Sequence, residues 1–274
     1  MIRSFLGYQS KNKRRDLVST TAHILLNIAL AVSIAIALVV FSSYWLAIVL
    51  LVLSKWRVFA VKPRFWWANI QSNAVDFIVG LGYITQFSQI PTQQYVSQAV
   101  VFLAYIFWLL IIKPRSGKHW VVSQGLVALY IGTSALLSIG YDWPSFVLLG
   151  LLMLVCFVTQ RHVLAVYDLD GVNYHAALVA LVSGEFLWVS SHWVVAYSLP
   201  LKGLYLTQPA LIIVLLMIAV QLVLERVLTK HNSSEGGFKD WSGALRPALL
   251  PIILCLVVVL ILLVVFSKPL VGGI

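Results

Sequence analysis

The sequence predicts an all-α, polytopic transmembrane helix bundle, and three observations carry that expectation. Hydrophobic residues make up 61% of the 274 residues and charged residues only 10%, with a mean hydropathy of +0.96. A water-soluble domain holds about 25% charged residues, so this chain lacks the side chains to coat itself in water, and lipid must be its solvent. The apolar residues fall in runs of the length a bilayer-spanning helix needs, roughly 17 to 25 residues. The basic residues gather between alternate runs, the pattern that sets orientation in membrane proteins.

Nine runs qualify as spans, within a range of seven to nine. They cover Leu17–Val40, Ser43–Val58, Asn69–Ile90, Val96–Ile112, Val121–Gly140, Pro144–Gln160, Ala176–Ser198, Leu206–Leu228 and Pro247–Phe266. The first two are joined by almost nothing and should form a tight hairpin. The second and fourth are the shortest. The first run is long and has no small-residue cleavage site behind it, so it reads as a retained signal-anchor helix rather than a cleaved signal peptide. Residues 1–16 form a basic tail, residues 17–267 the helical membrane domain, and residues 268–274 a short external tail.

With the N-terminus in the cytoplasm, all of the 19 basic residues except Lys202 and Lys268 fall in cytoplasmic segments. Short loops of this kind are where the positive-inside bias acts. The expected topology is therefore N-in and C-out, in a bacterial-type inner membrane. The net charge of +10 is then an orientation signal, and no nucleic-acid-binding motif accompanies it. The tryptophans agree. All ten except Trp108 and Trp188 sit near span boundaries, at the headgroup level where an amphipathic ring is favoured. Between Val58 and Gln71, the run Arg64-Phe65-Trp66-Trp67 suits an interfacial helix on the inner leaflet. The expected partners are the bilayer and anionic lipid headgroups at its inner face, with no nucleic acid; the oligomeric state is open.

Ionisable groups inside spans are costly, about 2.5–3.5 kcal/mol each on insertion scales, and mark functional candidates. Glu185 lies nine residues into the seventh span. His192 follows two turns later on the same face, with Ser191 and Tyr197 nearby. This pair could relay protons or bind a cation; equally, a protonated Glu185 could bond a neighbouring helix, and Ser183 and Gly184 would let one approach. Asp76 is the second candidate. It is deep if the third span starts near Trp67 and interfacial if that span starts near Asn73. His23 and Asn27, four residues apart, share a helix face. Asp168, Asp170 and His175 concentrate polar groups in a loop after the sixth span. That loop resembles an EF-hand only superficially, because its glycine, Gly171, is fourth where the sixth position is required. No metal or cofactor is expected. Cys156 and Cys255 fall within apolar runs and read as buried thiols.

No phosphate loop, zinc-protease motif or nucleophile elbow occurs, and no motif is distinctive enough to carry a family resemblance. Three function classes fit these residues. The first is a small transporter or permease using Glu185, Asp76 and His192. The second is a non-catalytic scaffold or assembly factor. The third is an intramembrane enzyme acting on a lipid-linked substrate at the cytoplasmic face.

Overall fold

The computed structural model describes residues 2–58, 60–140, 143–167, 171–191, 196–198, 205–207 and 214–220. Within them the chain is helical apart from one short β-ribbon. Four helical stretches are long and apolar enough to cross a membrane: Ser19–Val39, Tyr95–Ile112, Lys118–Ile139 and Ser145–Tyr167. By length and composition, these mark an integral membrane protein. The chain folds as two compact units, residues 1–120 and 121–274.

In the first unit, α1 (Ile2–Val39) runs unbroken through the basic N-terminal segment into the first apolar run. A sharp corner follows. Ser42 takes a left-handed conformation (φ 49°) and Ser43 caps α2 (Tyr44–Ser54) by accepting the Leu46 amide on its Oγ at 3.3 Å. Serine suits the cap because its hydroxyl satisfies an orphan N–H of the first turn. This is the expected hairpin, but α2 is shorter than the run Ser43–Val58. Its 11 residues span about 16 Å at 1.5 Å per residue, against a hydrocarbon core of about 30 Å. Ser54 bonds back to the Leu51 carbonyl and a 3-10 turn, Trp56–Val58, succeeds the helix.

A second 3-10 turn (Pro63–Phe65) leads into α3 (Trp66–Gln89). The stretch expected as a separate interfacial helix is thus partly the first turns of α3. Trp66 donates its indole N–H to the Val61 carbonyl (2.9 Å), and Arg64 lies over the Phe65 ring. Next come α4 (Tyr95–Phe107) and a π-helical turn, Trp108–Ile112. The buried positions recur at helical spacing: Ala31, Ile34 and Ala37 in α1; Ala47 and Leu51 in α2; Val75, Val79, Tyr83 and Phe87 in α3; Val101 and Tyr105 in α4, with Trp108 just beyond it. Opposite faces stay apolar yet exposed, as at Leu26, Trp45 and Leu103, which fits a lipid solvent. Gly80 lets α2 approach, since a Cβ there would lie 2.5 Å from Leu51 Cδ1.

The second unit holds α5 (Lys118–Ile139), α6 (Ser145–Leu164) and α7 (Val172–Ser191). Leu129, Leu152, Cys156, Ala180, Leu187 and Met217 form its core. The seventh expected span ends early. α7 stops at Ser191, and Ala196–Ser198 instead forms β1, paired antiparallel with β2 (Tyr205–Thr207). Leu206, expected to open the eighth span, lies in β2, and helix is described only over residues 214–220. Pro200 and Gly203 separate the two strands in sequence, and a proline disfavours continuing a helix through the residue before it. The ninth expected span, Pro247–Phe266, and Cys255 lie outside the described residues.

Two glycines make contrasting predictions. A Cβ on Gly125 would lie 2.2 Å from Val163 Cγ2 and 3.4 Å from the Thr159 carbonyl oxygen; one on Gly184 would meet Met153 Cγ at 2.6 Å. Val163 is β-branched and stiff, whereas methionine swings aside. Gly125→Ala should therefore destabilise by about 1–3 kcal/mol and Gly184→Ala by distinctly less, as read from thermal unfolding in detergent. Equal midpoints for the two variants would contradict this packing.

Candidate functional site

The described residues bring three charged side chains together at Asp76. This aspartate is ten residues along α3, about 15 Å from its start at 1.5 Å per residue. Even so, it is level with the ends of its neighbours rather than their middles. Lys55, the residue after α2, reaches its Oδ2. Lys113, the residue after the π-helical turn, reaches the same Oδ2 at 2.7 Å. Trp108 donates its indole N–H to Oδ1 at 3.0 Å. The Asp76 side chain is 9% exposed, with Lys55 at 13% and Lys113 at 29%.

The π-helical turn sets part of this geometry. In an α-helix of 3.6 residues per turn, residues five apart point about 140° from one another. Here the Lys113 amide bonds to the Trp108 carbonyl at 2.9 Å. That wider i→i+5 turn brings residues five apart onto nearly one face, so Trp108 and Lys113 can both meet Asp76. Such turns are rare and often lie at functional sites.

The triad is electrostatically unbalanced, because one carboxylate faces two ammoniums. Burial, with the neighbouring Lys113 ammonium, pushes the Lys55 ammonium down to about 7. Burial also lowers Lys113, partly offset by a side-chain hydrogen bond with Lys55. A neutral Lys55 amine can accept that bond from the Lys113 ammonium. A consequence for stability follows from the sign of the shift. Between pH about 7 and 10 the unfolded chain carries a proton on Lys55 that the folded chain lacks, so stability rises with pH through this window. Melting in detergent should climb from pH 7 to 9.5, and Lys55→Met should flatten the climb; an unchanged slope in the variant would rule out Lys55 as its source.

A polar file continues along α3. Tyr83 stacks on Tyr105 of α4 with ring centroids 4.1 Å apart. Thr85 donates to the Leu81 carbonyl at 3.0 Å, which leaves its oxygen to accept from the Tyr44 hydroxyl, also at 3.0 Å. In the second unit, His162 of α6 bonds Gln124 of α5 at 3.1 Å.

The other expected site residues are dispersed. Glu185 is exposed on α7, whose buried face is Ala176, Ala180, Ser183, Gly184 and Leu187. The close approach anticipated at Gly184 is made, by Met153 of α6. His192, Asp168 and Asp170 lie outside the described residues. His175 is exposed, its Nδ1 3.1 Å from the Gly171 carbonyl oxygen, and Gly171 adopts a left-handed φ of 71°. Arg161 donates from Nε to Asn173 Oδ1 at 2.7 Å. Asn27 donates its amide to His23 Nδ1 at 3.0 Å, making the i to i+4 pair expected of them. Among the described residues, no group of three His, Cys, Asp or Glu side chains could hold a metal ion.

Sequence reasoning singled out Asp76 but missed its partners. Lys55 and Lys113 read as topology charges, which masked a pairing role. Trp108 carried a signal, being one of two tryptophans away from the span boundaries. Its bond to Asp76 is a reason for an indole at that position. Comparison with protein families, characterised proteins and solved structures finds no match to this chain.

Proposed function

We propose that this is a small proton- or cation-coupled permease in which the Asp76 triad is the coupling group. The reading includes nine spans, a cytoplasmic N-terminus, an external C-terminus and a bacterial-type inner membrane; the placement of basic residues in alternate loops supports that topology. The observation that carries the coupling is the competition of Lys55 and Lys113 for one buried carboxylate oxygen. The two lysines end different helices. A shift of α2 against α4 would therefore change which cation Asp76 holds, and a switch needs an element with two such discrete arrangements. Glu185, with His192 seven residues on, is the second carboxylate of this reading.

A second reading is favoured by the same contacts. A fully paired Asp76 suits a static clamp, as in a scaffold or assembly factor. The enzyme reading gains no support from His175, which is engaged with its own turn.

The two favoured readings separate in proteoliposomes carrying an internal pH dye. Asp76→Asn combined with Lys55→Met removes one charge of each sign. Under an imposed proton gradient, dye response should fall at least about tenfold in this variant while the protein stays folded. Wild-type flux in the folded double variant would end the permease reading and leave the clamp.

A further inference from the structure

One face of α3 changes character at Asp76. Asn69, Asn73, Asp76, Gly80, Tyr83 and Phe87 recur at intervals of three and four residues and so share that face. Toward the start of the helix the face is polar and open. Asn69 and Asn73 are partly exposed, and Ser72 beside them is exposed. Asn73 donates from Nδ2 to the Asn69 carbonyl at 2.9 Å, and the Ser72 hydroxyl donates to the same oxygen at 2.9 Å. Among the described residues, the Asn69 side-chain amide and Asn73 Oδ1 bond no other protein group. Amides without partners are expensive in hydrocarbon, so this part of α3 meets water. The flanking helices do not cover it. Contacts of Tyr44 with Thr85, Leu51 with Gly80 and Lys55 with Asp76 show α2 running along α3 and stopping at Asp76. The π-helical turn after α4 stops there too, at Lys113. Neither accompanies α3 through Trp66–Val75.

Past Asp76 the same face is shut. Leu51 presses on Gly80, Tyr83 stacks on Tyr105, and Phe87 packs against the Tyr83 ring with centroids 5.6 Å apart. All of these side chains are buried. The Tyr83 hydroxyl is buried with no hydrogen-bond partner, a cost that turning toward water would remove. The stack therefore has a reason to open.

We propose that water reaches the Asp76 triad from one side only, along the Asn69–Asn73 face of α3, and that Leu51 over Gly80 with the Tyr83–Tyr105 stack is the gate closing the other side. The partner of this face is bulk water. A path open on one side and gated on the other is how a carrier loads its site from one compartment at a time. The inference specifies how the site of the permease reading is reached. Calling the open side cytoplasmic rests on the topology of that reading, whereas the one-sidedness rests on the contacts alone.

Thiol labelling tests this in full-length protein carrying Cys156→Ser and Cys255→Ser, held in inside-out and right-side-out membrane vesicles. The probe is sulfonatoethyl methanethiosulfonate, an anionic reagent that does not cross the bilayer. Thiolates react and apolar burial suppresses them, so Asn73→Cys and Asn69→Cys should react from the cytoplasmic side at least about tenfold faster than Ser97→Cys or Leu103→Cys. Ser97 is buried on α4 beyond the stack, and Leu103 is on the exposed apolar face of the same helix. Tyr83→Ala should then raise Ser97→Cys labelling from the cytoplasmic side at least about tenfold. Leu51→Ala, with the same result expected, is the second variant should Tyr83→Ala fail to fold. Labelling of Asn73→Cys as slow as that of Leu103→Cys overturns the watered face. Labelling of Asn73→Cys from both sides overturns the one-sidedness, and labelling from the external side alone overturns the cytoplasmic assignment. Unchanged Ser97→Cys labelling in the gate variants overturns the gate. Fast, one-sided labelling without Asp76-dependent proton flux would defeat the permease reading alone, whereas flux with slow Asn73→Cys labelling would defeat this inference alone.

Discussion

Asp76→Asn is expected to be the most damaging single substitution in the first unit, costing about 3–5 kcal/mol, the usual penalty for removing one partner of a buried ion pair. The side chain hardly changes size, so packing is not the cause. The loss comes from taking away the carboxylate that the mostly buried Lys55 and Lys113 side chains share. At about 2–4 °C per kcal/mol for a chain of this size, the melting midpoint in detergent should drop by roughly 6–20 °C. Adding Lys55→Met should recover more than half of that drop. The remaining ammonium, Lys113, is the more exposed of the two and has a long stem with which to reach water. Such recovery is the mark of a direct interaction, since independent sites add. If Asp76→Asn melts within about 2 °C of wild type, the triad does not hold the three elements together.

Trp108 should give the next largest effect, in two separable parts. Its side chain is buried and its indole N–H is bonded to Asp76 Oδ1. Trp108→Phe keeps most of the ring and loses the bond to a charged acceptor, a cost of about 1.5–3 kcal/mol. Trp108→Ala also opens a cavity between the π-helical turn and α3, for a total of about 3–5 kcal/mol. Thermal unfolding separates the parts. In the Asp76→Asn background, the Phe substitution should cost little, because the charged acceptor is gone. A full cost in that background would mean that the tryptophan acts through packing alone.

Membrane character, helical class and most helix positions were legible in the sequence because they follow from local quantities. The lengths of apolar runs and the scarcity of charge are both read within a few residues of one another. The failures were at ends and breaks. α2 stops at Ser54, short of the expected end at Val58, where Ser54 bonds back to Leu51, Lys55 and Arg57 interrupt the apolar residues and a tighter turn takes over. α7 gives way to a β-ribbon before Ser198, where β pairing across a gap of several residues overrides local apolarity. The π-helical turn at Trp108–Ile112 was invisible in a run of residues that reads as uniform helix.

The same division holds for the candidate site. A carboxylate in a span is conspicuous by its cost, so Asp76 and Glu185 stood out together from sequence. What separates them is tertiary. Asp76 meets Lys55 from 21 residues before it and Lys113 from 37 residues after it, partners that no local pattern could assign, while Glu185 is exposed on its helix. The sequence by itself determined that this chain is built for lipid and that ionisable groups in its spans need a reason to be there. Only the tertiary structure decided the reason at Asp76, because a buried charge is defined by the partners that packing brings within reach.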